Sequence, residues 1–114
     1  MEIRQGSIAW ATTLLPNGKL KRRPVVIVPP THLIRSLSKI RIVGISCSYR
    51  PDDPNIIPLA WRADGNIHTG LRKQSAISLA LQDDIEPLKL DPTDGWIGKA
   101  ALIELLERLK KTGD

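Results

Sequence analysis

Arg23 and two serines, Ser46 and Ser48, are the side chains whose types and spacing suit phosphate chemistry. Arg23 stands at the head of Pro24-Val25-Val26-Ile27-Val28, and Ser46 and Ser48 share one face of a second strand-like segment, Lys39–Ser48. If those segments pair, a guanidinium and a hydroxyl converge on one phosphate. The arginine would stabilise the charge of a phosphorane-like transition state, and the serine would donate to a non-bridging oxygen. RNA carries its own nucleophile, the 2′-hydroxyl, so such a site needs no cofactor. A plainer reading fits the same residues, with Arg23 a solvated charge at a strand end and Ser46 a half-buried strand polar group.

Other chemistries find less purchase. His32, His68 and Cys47 are scattered with no metal-ligand spacing. Asn17-Gly18-Lys19 lacks the glycine spacing of a phosphate-cradling loop, and no serine sits in a G-x-S-x-G elbow. Metal-driven or nucleotide-driven reactions are not expected. A lone Cys47 cannot close an internal disulfide, which fits a reducing cytoplasmic setting. No charge-free stretch reaches the ~18 apolar residues of a membrane span, and Met1–Gly6 leads into no apolar signal core.

The charge is one-sided. Seventeen Lys and Arg against twelve Asp and Glu give +5, with a pI near 9.7. Residues 1–50 hold nine basic groups and one acid, Glu2, whereas residues 51–114 hold eight basic groups and eleven acids. A surface biased in this way attracts polyanions through counterion release. Lys19, Lys21 and Arg22, just before Arg23, are the cations best placed to track an RNA backbone, with Arg50, Arg72 and Lys73 as a second set. That basic hairpin also fits a merely solubilising loop.

The elements that must position these groups follow from pattern. At 114 residues the chain is expected to be one domain, 1–114. Ile3–Thr13 alternates in the manner of a strand. Leu15-Pro16-Asn17-Gly18 is turn chemistry. Pro24–Val28 reads as a buried strand with proline at its first position, where a missing N–H costs little. Thr31–Ser38 reads as a short helix capped by Thr31, Tyr49–Asn55 as a loop, and Ile56–Trp61, Ile67–Ser78 and Leu88–Leu90 as further short strands. Asp64-Gly65 supports a hairpin turn within Arg62–Asn66, and Asp83 and Asp84 read as a solvated turn. Asp94 is placed as the cap of a final helix whose Leu102, Leu105, Leu106 and Leu109 form one apolar stripe. Glu104–Arg108 and Glu107–Lys111 are favourably oriented i,i+4 pairs. Trp10 and Trp61 read as core or dimer-interface residues, Trp96 as a seat for the helix, and His68 as a surface strand histidine. Five to seven short strands and one helix make a mainly β fold, a small partly closed barrel with a C-terminal amphipathic helix.

Four blocks of the sequence resemble the MazF/PemK (Kid) toxin endoribonucleases. They are Gly6-Ser7-Ile8-Ala9-Trp10, Lys21-Arg22-Arg23-Pro24-Val25-Val26-Ile27-Val28, Ile42-Val43-Gly44-Ile45-Ser46, and Thr69-Gly70-Leu71-Arg72-Lys73-Gln74-Ser75-Ala76-Ile77, followed by the closing helix. The resemblance implies an SH3-like barrel of the CcdB/PemK type, a homodimer, and metal-independent cutting of single-stranded RNA (mRNA foremost) to leave a cyclic phosphate. It also implies a cognate antitoxin, expected to be acidic where it crosses the basic surface. Carried over by position, Arg23 matches the catalytic arginine and Ser46 the catalytic Thr/Ser. Gly18 and Lys19 stand where many members have Glu-Gln, and Leu81-Gln82-Asp83-Asp84 stands where many have acid-Gln-x-Arg/Lys. The general base is therefore open among Asp52, Asp53, Asp83, Asp84, His32 and His68. Two alternatives share the barrel: a gyrase-inhibiting toxin, which depends on a Trp-Gly-Ile tail where this chain reads Lys111-Thr112-Gly113-Asp114, and a catalytically inactive RNA-binding module.

Overall fold

The computed structural model describes residues 3–15, 17–60 and 68–112. Six strands, β1 (Ser7–Leu14), β2 (Leu20–Ile27), β3 (Ile40–Ser46), β4 (Ile56–Pro58), β5 (Ala76–Ile85) and β6 (Asp91–Trp96), precede one helix, α1 (Lys99–Thr112). They form an antiparallel sheet in the order β4-β5-β3-β2-β1-β6. The two central segments, Pro24–Val28 and Ile40–Ile45, read as near-continuous apolar runs because both faces of the sheet are covered. On one face Ile8, Val26, Val43, Ile45 and Ile77 pack with Leu105 of α1. On the other, Ala9, Ala11, Val25, Ile27, Ile40 and Ile42 pack with Ile34 and Leu90.

The β1–β2 hairpin closes as its residues dictate. Gly18 takes φ +83°, Asn17 Oδ1 accepts from Lys19 N at 3.0 Å, and Leu15 N donates to Lys19 O at 2.8 Å. Helix α1 presents Leu105 fully buried and Leu102, Leu106 and Leu109 half-buried. Arg108 reaches Glu104 at 2.8 Å.

Several boundaries differ from expectation. Strand β2 starts at Leu20, so Pro24 and Arg23 lie in its interior. Pro24 is tolerated because the β2–β3 ladder ends at Val25, leaving that stretch paired to β1 alone, where a missing N–H costs little. Residues 68–75 are loop rather than strand. The strand expected there is displaced to Ala76–Ile85 and absorbs Asp83 and Asp84, which face solvent across from Ile42 and Arg41. Pro87–Lys89 is a 3-10 turn, and the last strand is Asp91–Trp96. Its Asp-Pro-Thr-Asp-Gly composition lacks β propensity; pairing with β1 makes it a strand. Asp94 belongs to that strand and does not cap α1, which begins at Lys99 after Gly98 at φ +86°. Thr31–Ser36 is a single 3-10 helix whose N-cap position is Pro30, and the Thr31 hydroxyl accepts from Gln5 N instead. Strand β4 is only Ile56–Pro58; Trp61 and the Arg62–Asn66 turn lie outside the described residues.

Candidate functional site

Arg23 is the centre of the site. Its β2 position pairs with Ala11 of β1, which turns the guanidinium toward the Val25–Ile27 face rather than into solvent. The residue is only 7% exposed, and its Nε has no hydrogen-bond partner. Among the described residues no carboxylate pairs with it. The expected alternative of a solvated strand-end charge is therefore corrected: the strand begins three residues earlier and the side chain is buried.

Gly44 makes room for this side chain. A Cβ at position 44 would lie 2.8 Å from Leu81 Cβ and 3.2 Å from Arg23 Cδ, so a glycine is required where the arginine's stem crosses β3. A glycine inside a strand is a sequence signal for such a close approach, one that the alternation of faces alone does not reveal.

Strands β2 and β3 do pair, with Val25 opposite Gly44. Two residues beyond that pair, on the respective strands, stand Arg23 and Ser46. Ser46 is half-buried. Its hydroxyl donates to Ser48 O at 3.0 Å and accepts from Ser48 N at 3.1 Å, so it closes a local turn. Ser46 also pairs with Ala76, which brings the loop carrying the exposed Arg72 and Lys73 to that end of β3. Ser48 is exposed.

The basic hairpin is divided. Lys19 and Lys21 are exposed, and Lys21 shares the Arg23 face of β2 by alternation. Arg22 points to the other face, where it meets Asp91 at 2.6 Å and lies 5.6 Å over the Trp10 ring. Arg50 reaches Asp52 at 3.5 Å, both ends well exposed. Trp10 is 39% exposed, so it is not core within this chain.

Five of the six candidate bases have contacts elsewhere. Asp84 binds Arg41 at 2.8 Å, Asp83 Oδ1 accepts from Asp84 N at 2.8 Å, and Asp53 Oδ1 accepts from Asn55 N at 2.8 Å. Asp83 sits in the row Ile27–Ile42–Asp83, well removed along β2 from Arg23. His32 is exposed on the 3-10 helix. His68 stacks on Trp96, with ring centroids 4.1 Å apart, so Trp96 is a surface ring rather than the seat of α1. Among the described residues no group of three His, Cys, Asp or Glu could hold a metal ion, and no helix is long and apolar enough to cross a membrane.

No protein-family model and no curated protein sequence matches the chain. Solved structures do. MazE-MazF from Deinococcus radiodurans in Form-III superposes with a TM-score of 0.70 at 11% identity, and Form-II with 0.72 at 13%. MazF alone from the same organism, Form-I, gives 0.71 at 15%. Each alignment covers 98% of this chain and 96% of the other. What these superpositions establish is architecture: the six-stranded antiparallel sheet with its C-terminal helix is the MazF barrel fold.

Proposed function

We propose that the chain is the toxin component of a toxin–antitoxin pair, a cytoplasmic endoribonuclease that cuts single-stranded RNA, mRNA foremost, with Arg23 and Ser46 as its catalytic groups. The observation that carries this reading is the Arg23 side chain, 7% exposed, whose buried Nε has no partner. A buried charge without a counter-charge is costly, and an orphaned buried donor in a native fold asks for an explanation. A scissile phosphate supplies both the charge and the acceptor. In the reaction the 2′-oxygen attacks the adjacent phosphorus and the bond to the 5′-oxygen breaks. A 2′,3′-cyclic phosphate and a 5′-hydroxyl result, the proton of the 2′-hydroxyl being replaced by one delivered to the leaving oxygen. Arg23 stabilises the charge that accumulates on the non-bridging oxygens. Ser46 donates to the same phosphate once its hydroxyl rotates away from Ser48 O.

Two of the structural neighbours are MazE-MazF, which supports a protein partner of the antitoxin kind. The charge of residues 1–50 calls for acidic residues on that partner. The engagement of the Ser46 hydroxyl in a local turn favours, as a second reading, an RNA-binding module without catalysis.

Incubation of the purified protein with long RNA in EDTA, beside an Arg23→Ala control, separates these readings. Arg23-dependent fragments ending in cyclic phosphate are expected. Binding without fragments selects the inactive module, and neither binding nor cleavage rejects both.

A further inference from the structure

Strand β6 does not run evenly along β1. Ser7 pairs with Trp96 and Ala9 with Pro92, so a two-residue step on β1 answers a four-residue step on β6. Thr93 locks this bulge: its hydroxyl donates to Ile8 O and accepts from Gly95 N at 3.0 Å. Gly95 is required there, because a Cβ would run into the Thr69 carbonyl. Bulges of this kind re-aim a side chain, and here the side chain is Trp96. Its backbone N–H donates to His68 O at 2.9 Å. Its ring stacks on the His68 imidazole at 4.1 Å with planes 24° apart, and 45% of the residue still reaches solvent.

Trp96 lines a cavity of about 510 Å³ together with Arg4, Gln5, Ser7, Thr93, Asp94 and Gly95. An indole held from behind by a second ring and from below by a locked bulge loses little freedom when another flat ring joins it. The cavity adds an exposed carboxylate, Asp94, which can accept from the polar edge of a heterocycle. Ser7 and Ala11 are the β1 partners of Trp96 and Arg23. They lie about 13 Å apart along β1, and because β6 and β2 flank β1 on opposite sides, the backbone positions of Trp96 and Arg23 are about 16 Å apart, a span that one RNA strand bridges over more than one nucleotide.

We propose that the Trp96–His68 stack and the cavity beside it form a nucleobase-binding subsite, in which a base of single-stranded RNA stacks on the Trp96 indole. This inference rests on the reading of the chain as an RNA-cutting protein, and its test is chosen to separate the two.

The probe is a heptaribonucleotide methylated at every 2′-oxygen, which has no nucleophile and cannot be cut. Its affinity is read by fluorescence anisotropy for the wild type, Trp96→Ala, Trp96→Phe and Arg23→Ala. Base–aromatic stacking predicts that Trp96→Ala weakens binding roughly 5- to 150-fold, that Trp96→Phe recovers most of the loss, and that the same penalty persists in an Arg23→Ala background. In 15N-labelled protein the Trp96 indole N–H signal, assigned by its absence from the Trp96→Phe spectrum, should shift on titration with the probe. A Trp96→Ala protein that cuts RNA and binds the probe as the wild type does would overturn the subsite and leave the nuclease reading standing. Probe binding that depends on Trp96 in a protein that cuts no RNA would do the reverse. A Trp96→Ala protein with unchanged probe affinity but altered self-association would reassign the ring to a protein contact, and no probe binding at all would overturn the subsite, leaving the nuclease reading to the cleavage of long RNA.

Discussion

Arg23 sets stability against function. Its aliphatic stem fills the space over Gly44, while its Nε is buried without a partner. Replacing it by an isosteric apolar group should remove the desolvation penalty and keep the packing. We therefore expect Arg23→Met to unfold in urea no more easily than the wild type, or to gain about 1 kcal/mol, while RNA cleavage falls below a tenth of wild type. A variant that cuts RNA at more than a tenth of the wild-type rate would remove Arg23 from catalysis. Ser46→Ala should be milder, because water can replace a hydroxyl donor. Gly44→Ala tests the same spot from the other strand. The new methyl meets Leu81 Cβ at 2.8 Å, an overpacking expected to cost roughly 1–3 kcal/mol and to displace Arg23. Denaturant midpoint and cleavage rate should fall together, and a normal midpoint would mean that Leu81 yields without strain.

At the scale of elements, the β1–β2 hairpin carries cations with different duties. Arg22 is already matched by Asp91 and Trp10, whereas Lys19 and Lys21 are exposed, with no ion pair among the described residues. Each cation that neutralises a phosphate of a single strand contributes about 0.7 to the log–log salt dependence of binding. The double change Lys19→Ala with Lys21→Ala should thus flatten the slope by about 1.4 and weaken all sequences alike. Arg22→Ala alone should change it little, since an ion already paired with Asp91 releases fewer counterions. A double variant with an unaltered slope would move the RNA path toward Arg50, Arg72 and Lys73.

For the whole molecule, the open question of surface is apolar. Leu14 and Leu20 face each other across β1 and β2 yet are 62% and 71% exposed, and Trp10 on the same face is 39% exposed. A chain of 12.6 kDa buries a limited fraction of its own surface, and association would add to it. A homodimer that covers these side chains is expected, on the face of the hairpin opposite Lys21 and Arg23. Sedimentation velocity at tens of micromolar should show a species near twice the chain mass, shifted toward monomer by Leu14→Glu. Only monomer in the wild type would refute the dimer.

The sequence by itself determined what local chemistry controls. Asn17-Gly18 closed a hairpin because few other residues accept the turn it needs. The β-branched run Pro24–Val28 read as a buried strand because such side chains suit a covered pleated surface, and the segment Lys39–Ser48 read as a second strand. The leucine spacing of α1 picked its buried stripe, and the order of these elements sufficed to anticipate a small barrel with a terminal helix. It also brought Arg23 and Ser46 forward as candidates, since both belong to strands that were legible. Tertiary structure decided the rest. Asp91–Trp96 is dominated by Asp, Pro and Gly, which are depleted in strands, and it pairs because β1 offers an open edge, so its local signal was weak. Asp83 and Asp84 were drawn into β5 by the register with β3, which overrides their preference for turns. Whether Arg23 meets water or a buried slot depended on where β2 begins and on a glycine of another strand. The Trp96–His68 stack joins residues from a loop and a bulged strand, which only the completed sheet brings together.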